Sequence, residues 1–139
     1  MSQEFAQRYY QAYNDGDLDA ILAEYAPDAE YRLHGADGVR TFRGVDACRA
    51  VYAAQLRAWP DQRLEPRSVL ARDDLLVCEV TLTATLAEPW EFDRRTHQPS
   101  GRPISFDVMH VIRFRDGLLW IKDGWIDGLA IRNQLAGRA

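Results

Sequence analysis

The hydrophobic pattern of the chain changes its period near Pro60, and this change constrains the fold more than any other feature. Before Pro60, apolar residues recur every three or four positions, as Phe5, Tyr9 and Tyr13 do, which is typical of amphipathic helices. After Pro60, apolar and polar residues alternate, which is typical of strands with one buried face. Helices followed by antiparallel strands predict an α+β fold, with the helices packed on one face of a curved antiparallel sheet.

Three helices are predicted before the change of period. Gly16 suits the left-handed position that ends the first helix, and Asp17 is the expected N-cap of the second. Pro27 and Pro60 stop the second and third helices, because proline cannot donate the backbone hydrogen bond that a helix needs. The predicted first helix lies in residues 2–17 and is ended by the sequence NDGD at 14–17. The second and third helices cover 18–26 and 45–59, with short strands in 29–35 and 36–44.

The rest of the chain is predicted to form two hairpins and a closing segment. Asp73 and Asp74 form the turn of the first hairpin, and the sequence Arg-Asp-Gly at 115–117 forms the turn of the second. The predicted strands are 61–73, 75–86, 104–114 and 118–127; residues 87–103 are a long connection, and 128–139 a short helix or tail. The length of 139 residues fits one domain spanning 1–139.

Composition excludes several classes of function. The net charge is −4 and the basic residues are scattered, so the sequence predicts neither a nucleic-acid groove nor a membrane-binding surface. Cys48 and Cys78 lie in apolar patterns without metal-ligand spacing, as in a reducing compartment, and the N-terminus has no apolar signal region. The three histidines also lack ligand spacing. We therefore expect a cytoplasmic protein with no metal and no other cofactor.

Three polar residues interrupt the last two predicted strands. His110 shares its strand face with Val108 and Ile112, so its imidazole should point toward the helices. On the next strand, Asp123 and Asp127 share a face, and polarity alone does not decide whether that face is internal. Burying such groups without partners costs several kcal/mol by order of magnitude, so they either reach solvent or serve chemistry in a cavity.

Four stretches of the chain together resemble one family. The sequence YYQAYNDGDLDAILAEYAPDAEY resembles an opening helical pair, and RGVDACRAVYAAQLRAWPD resembles a third helix with its aromatic-Pro-Asp ending. QPSGRPISF and FRDGLLWIKDGWIDGLAIRNQLAG resemble a Pro-Thr-Gly-Arg-Pro stretch and a final hairpin with its tail. In this order and spacing they resemble the SnoaL-like polyketide cyclases, which belong to the cone-shaped superfamily of ketosteroid isomerase and nuclear transport factor 2.

The resemblance implies a fold, an activity and several site residues. It implies a cone with a deep cavity, a homodimer formed through the outer sheet face, and cofactor-free aldol ring closure by a carboxylate at the end of the last long strand. Asp127 falls at that carboxylate's position, and His110 and Tyr9 fall where the related isomerases hold an enolate. The isomerase base would fall at Leu33, which cannot serve, and Asp123 stands where the family usually has Trp.

The expected chemistry follows from these residues. Asp127, with Asp123 as the alternative, would remove a proton from a carbon acid in an apolar cavity, where desolvation raises the proton affinity of a carboxylate. His110 would donate a hydrogen bond to the enolate oxygen. The many aromatic residues favour a flat, apolar, polyketide-like substrate. The expected substrate contacts are Tyr9, Tyr13, Tyr31, Trp90, Phe106 and Trp125.

Each candidate residue has an alternative, purely structural role, and the protein has alternative functions. In these alternatives Asp127 only caps the segment that follows it, Asp123 is a solvated carboxylate in a turn or bulge, and His110 is a hydrogen-bonded core residue. The loop that holds Trp90 is either a lid or a plain surface loop, and His97 in this loop is expected in solvent. The alternative functions are an epoxide hydrolase or dehydratase that activates water, and a protein that binds a small molecule without catalysis.

Overall fold

The computed structural model describes residues 2–137 as four helices and eight strands. The last two residues of the predicted closing segment lie outside the described residues. The helices are α1 (Ser2–Asn14), α2 (Leu18–Leu22), α3 (Val45–Ala58) and α4 (Gly128–Leu135). The strands are β1 (Tyr25–Gly35), β2 (Gly38–Arg43), β3 (Arg63–Arg72), β4 (Leu75–Thr85), β5 (Trp90–Phe92), β6 (Arg95–His97), β7 (Pro103–Arg115) and β8 (Leu118–Ile126).

Six strands form one sheet in the order β2-β1-β8-β7-β4-β3. The neighbouring strands are antiparallel except for β1 and β8, which run parallel, so the expectation of a purely antiparallel sheet was wrong. The parallel pair arises because α3 carries the chain from β2 to the far edge of the sheet. Three further antiparallel reversals then bring β8 back beside β1. The α+β class predicted from the change of period is confirmed.

The helices close one face of the sheet. α1 packs against β3, and α3 packs against β1 and β2. The second helix is shorter than predicted: the Asp17 carboxylate caps it by accepting from the Ala20 N–H at 3.0 Å, but the chain leaves the helix after Leu22. Tyr25 already belongs to β1, because its buried ring and its pairing with Leu119 outweigh the local helical pattern.

The connection between β4 and β7 contains a small hairpin. β5 and β6 pair as a separate two-stranded sheet, which the charged sequence of this segment did not predict. His97 was expected in solvent, and this was wrong. Its side chain is buried, and its imidazole Nε2 pairs with the Phe92 carbonyl at 3.1 Å. Gly101 has a positive φ of 76°, and this conformation helps the chain turn back into β7.

A bulge in β8 sets the orientation of the residues that follow it. Arg113 pairs with Ile121, and the next β7 residue pairs with Leu119, so Trp120 is the extra residue on β8. The bulge shifts the alternation by one position. Leu119 before it and Lys122 after it therefore both point inward, although they are three residues apart.

No helix in residues 2–137 is long and apolar enough to cross a membrane.

Candidate functional site

A cavity of about 750 Å³ lies between the concave sheet face and the helices. Its walls are largely apolar and aromatic, as is usual for sites that bind small molecules. α3 contributes one wall, and the inward residues of β1, β2, β7 and β8 contribute another. The mouth is bordered by the β1–β2 turn and the β5–β6 hairpin, which the ion pair of Asp37 and Arg94 joins at 3.8 Å.

The amine of Lys122 lies at the inner end of this cavity. Lys122 is 2% exposed, and its Nζ donates to the hydroxyl oxygens of Tyr9 and Tyr13 at 3.0 Å each and of Tyr52 at 3.3 Å. Nζ also lies 4.9–5.1 Å from four aromatic ring centres. Those rings belong to Tyr9, Tyr13, Tyr31 and Tyr52. Hydroxyl oxygens and ring faces therefore replace water around this amine.

No carboxylate in residues 2–137 forms an ion pair with Lys122. Burial disfavours the ammonium form and lowers the pKa of Lys122 from 10.5 to about 7; the thiols of Cys48 and Cys78 oppose this shift in part. A lysine with a pKa near neutrality can both take up and release a proton at physiological pH, which an ordinary lysine cannot do.

The tyrosine hydroxyls around the amine form a connected network. The hydroxyls of Tyr9 and Tyr25 pair directly, and Tyr25 and Tyr52 pair at 2.7 Å. Tyr13 lies 3.3 Å from the Tyr9 hydroxyl and also lines the cavity. Burial raises the pKa of all these phenols well above its usual value. They therefore remain protonated at neutral pH, and each can donate one hydrogen bond while it accepts others.

His110 lines the cavity from β7, on the face that the sequence predicted. It is 4% exposed, and its imidazole Nδ1 lies 2.7 Å from the Tyr10 hydroxyl, with the two rings stacked. Burial, and then the positive charge of Lys122, lower the pKa of His110 well below its usual value. The imidazole is therefore neutral at physiological pH. Gly124 is paired with His110 on the neighbouring strand β8, and a Cβ at Gly124 would lie 3.4 Å from the imidazole Cδ2.

Sequence reasoning missed Lys122, although one signal could have found it. Lys122 is the only lysine in the sequence, and all the other residues in its Lys and Arg total are arginines. Arginine cannot lose its proton in proteins, whereas lysine can when it is buried. A single lysine inside a predicted strand is therefore a chemical exception, but only the bulge at Trp120 turns it toward the cavity.

Asp123 lies on the outer face of the sheet, away from the cavity. Its carboxylate is bound by His34 Nε2 at 2.7 Å and by Arg113 at 3.1 Å, with Arg32 at 3.9 Å. The Trp125 ring stacks on His34 with a centroid distance of 4.2 Å. These side chains bury Asp123 to 4% exposure, so the carboxylate is neither solvated nor part of the cavity.

The sequence placed Asp127 in the apolar cavity, and that placement was wrong. Asp127 is exposed and is the N-cap of α4, where its carboxylate accepts from the Ala130 N–H at 3.0 Å. It does not line the cavity. The alternative role as a helix cap describes its position. β8 ends here, and the carboxylate satisfies a backbone N–H of the first helical turn.

The predicted substrate contacts divide into two groups. Four of them line the cavity, namely Tyr13, Tyr31, Trp90 and Phe106. Tyr9 lies behind the lining, where its hydroxyl holds the lysine amine, and Trp125 is 42% exposed on the outer face. Within residues 2–137 no group of three His, Cys, Asp or Glu side chains could hold a metal ion.

A cone of helices and bent sheet around an internal cavity is the fold of the ketosteroid isomerase class, and comparison with known proteins agrees. The model of the SnoaL-like domain matches residues 6–121. The chain belongs to the SnoaL-like family, as the resemblance of its motifs predicted. No curated protein matches the sequence.

Solved structures share this fold at low sequence identity. A SnoaL-like polyketide cyclase candidate from Jannaschia sp. CCS1 has a TM-score of 0.82 and 19% identity, covering 98% of this chain and 92% of its own. AclR from Streptomyces galilaeus, a candidate hydroxylase, has a TM-score of 0.78 and 24% identity, with 99% and 96% covered. A Catenulispora acidiphila protein with a ketosteroid isomerase-like fold, solved with trimethylamine, has a TM-score of 0.72 and 14% identity, with 89% and 85% covered.

The cap at α4 gives a test of the position of Asp127. Asp127→Ala removes the acceptor of the Ala130 N–H, so the free energy of unfolding should fall by about 1 kcal/mol. Asp127→Asn keeps a capping oxygen and should remain near wild type. Urea denaturation measures both variants. Equal losses in the Ala and Asn variants would contradict a capping role.

The buried lysine predicts a pH dependence of stability. Between pH 7 and about 10 the unfolded chain binds a proton on Lys122 that the native state does not, so wild-type stability should rise with pH relative to Lys122→Met. Below pH 7 both states are protonated, and the cost of burial is fully present. The rise should amount to several kcal/mol, since each pKa unit corresponds to about 1.4 kcal/mol.

Urea denaturation of wild type and Lys122→Met at several pH values between 6 and 10 measures this difference. A stability difference that does not change with pH would mean that the amine keeps an ordinary pKa in the folded state.

Proposed function

We propose that the protein is a cofactor-independent cyclase or isomerase that enolises an apolar, polyketide-like carbonyl compound in its cavity. The observation that supports this most strongly is the Lys122 amine. It lies at the inner end of the cavity, lacks a carboxylate partner among residues 2–137, and has a pKa of about 7. This replaces the carboxylate base expected from the sequence with a lysine base.

The first step is removal of a proton from the carbon next to the substrate carbonyl. The neutral Lys122 amine takes this proton and becomes an ammonium ion. The Tyr13 hydroxyl, which lines the cavity and already contacts Nζ, donates to the carbonyl oxygen as negative charge develops there. The new positive charge on Nζ then stabilises the enolate in surroundings from which water is largely excluded.

The second step returns the proton. In a cyclase, the enolate carbon attacks a second carbonyl of the same molecule, and the Lys122 ammonium protonates the resulting alkoxide. In an isomerase, the proton returns to a different carbon. Both routes restore the neutral amine and need no oxidant or reductant. The neutral His110, held by Tyr10, supplies a further polar group at the same wall of the cavity.

The positions of the polar residues bear on the two alternative functions, an epoxide hydrolase and a binding protein without turnover. An epoxide hydrolase would need its aspartate and arginine groups at the substrate, but the cluster of Asp123, Arg113 and Arg32 lies on the outer face. A binding protein without turnover is favoured by one observation: three tyrosine hydroxyls already satisfy the Lys122 amine. The exchange assay below separates that function from catalysis.

Assembly and location belong to the same proposed function. The chain forms a homodimer through the outer sheet face, where Met109 and Trp125 are paired in register and are 43% and 42% exposed. Exposed apolar side chains side by side favour burial against a second copy. The protein acts in the cytoplasm, in keeping with its free, buried Cys48 and Cys78.

Hydrogen–deuterium exchange of 1-tetralone tests the base without knowledge of the natural substrate. Wild-type protein in D₂O should accelerate exchange of the protons next to the carbonyl, measured by mass spectrometry. Lys122→Met and Lys122→Arg should lose about 10²–10⁴-fold of this rate, the usual contribution of a general base. The wild-type rate should rise with pH through about 7 and then level off, because the neutral amine is the active form.

Asp127→Asn is the matched control and should exchange 1-tetralone at the wild-type rate. Loss of exchange in this variant, with Lys122→Met unaffected, would return the role of base to Asp127. Wild-type protein that binds 1-tetralone without accelerating exchange would support the binding protein instead.

Light scattering tests the dimer. Wild type should have twice the chain mass of 15.9 kDa at micromolar concentration, and Met109→Glu should be monomeric because it buries a charge at the interface. Leu129→Glu, at a site on α4 that is 59% exposed, should remain dimeric. A monomeric wild type would overturn this assembly.

A further inference from the structure

A second polar residue lines the cavity, and its side-chain nitrogen has no partner. The Gln62 side chain lines the cavity and is only 9% exposed. Its Nε2 is the one buried side-chain nitrogen or oxygen atom in the described chain that has no hydrogen-bond partner. Folded proteins seldom leave a buried donor unpaired, because the group has given up water without any replacement. An unpaired amide at the wall of a cavity therefore points to a bound molecule.

The backbone around Gln62 is held in place from both sides. The Gln62 N–H donates to the Trp59 carbonyl at 3.1 Å. Next to it, the Asp61 carboxylate accepts from the Thr85 N–H at 2.7 Å. On the other side, the Asn14 side chain binds both the N–H and the carbonyl of Leu64, at 2.7 and 3.0 Å. These contacts fix the backbone from which the Gln62 side chain projects, and this reduces the cost of ordering the side chain around a ligand.

The surroundings of this amide are apolar. Trp59 and Leu64, which flank it in the chain, both line the cavity, as does Leu82, the partner of Leu64 across β3 and β4. The Trp90 ring lies against Trp59 with a centroid distance of 6.3 Å. A single hydrogen-bond donor in such a wall fixes the orientation of a ligand and discriminates strongly against one that lacks the matching acceptor.

Gln62 and Lys122 lie at separate parts of the cavity. Gln62 directly precedes β3 at the edge of the sheet, whereas Lys122 is on β8, with β7 and β4 between them. Three steps between adjacent strands correspond to about 14 Å along the sheet, and the bend of the sheet makes the direct distance shorter. The wall between these two polar groups is mainly apolar and aromatic.

We propose that Gln62 forms an oxygen-binding subsite, in which its Nε2–H donates to an acceptor oxygen at one end of the ligand. The ligand is then an elongated, largely aromatic compound with two oxygen functions. One oxygen, at Lys122, belongs to the reacting carbonyl, and this assignment rests on the proposed function. The other is a carbonyl or phenolic oxygen at Gln62 that sets the orientation of the substrate.

The test compares two naphthalenes of similar shape, 2,6-diacetylnaphthalene and 2-acetyl-6-ethylnaphthalene. Binding is followed by the fluorescence of Trp59 and Trp90, which line the cavity. Wild type should bind the diacetyl compound about tenfold more tightly, equivalent to about 1.4 kcal/mol for one additional hydrogen bond. Gln62→Met keeps the length of the side chain but removes the donor, and it should abolish the preference while binding the ethyl compound at least as well.

The variants also separate this subsite from the proposed catalysis. Lys122→Met should retain the preference for the diacetyl compound even where deuterium exchange is lost. A preference that survives in Gln62→Met would overturn the subsite, and so would a wild-type protein that binds neither naphthalene. Gln62→Met should also raise the Tm of the ligand-free protein, and a lower Tm would mean that the amide already has a partner.

Discussion

The site depends on the burial of one positive charge in an aromatic cone. Lys122 loses nearly all contact with water, and no carboxylate among residues 2–137 compensates for that loss. Its remaining stabilisation comes from three tyrosine hydroxyls and four ring faces, which is less than a full ion pair would give. The ammonium form is therefore weakened until the amine titrates near pH 7. A carboxylate beside Nζ would hold the lysine charged and remove its capacity to act as a base.

The position of this amine depends in turn on a defect in the sheet. Without the bulge at Trp120, the alternation set by the buried Leu119 would turn Lys122 toward the outer face and Asp123 toward the cavity. With the bulge, the lysine faces the tyrosines of α1 and α3. The aspartate instead faces His34 and Arg113 on the opposite side, where two arginines and a histidine surround it. One extra residue thus determines that Lys122, and not Asp123, faces the cavity.

The family match accounts for the fold, and the structure of this chain shows where its own polar groups lie within that fold. Match to the SnoaL-like domain ends at residue 121, one position before the lysine. The carboxylate expected at the end of the last long strand is present in sequence as Asp127, but here it caps α4. A shared fold therefore does not determine which residues face the cavity, and function has to be argued from the site.

The sequence by itself determined the class of fold, the main helices and strands, the family and the inward face of β7 with His110. These follow from the period of the hydrophobic pattern and from local signals such as Asp17 and Pro60, which act over a few residues. Only the tertiary structure decided the parallel pairing of β1 and β8 and the β5–β6 hairpin. It also decided that Asp127 lies outside the cavity and that Lys122 points into it. Each of these depends on contacts between residues far apart in the chain. The bulge at Trp120 shows the reason most directly: strand alternation predicts a face only while the register is unbroken, and the register is set by the partner strands.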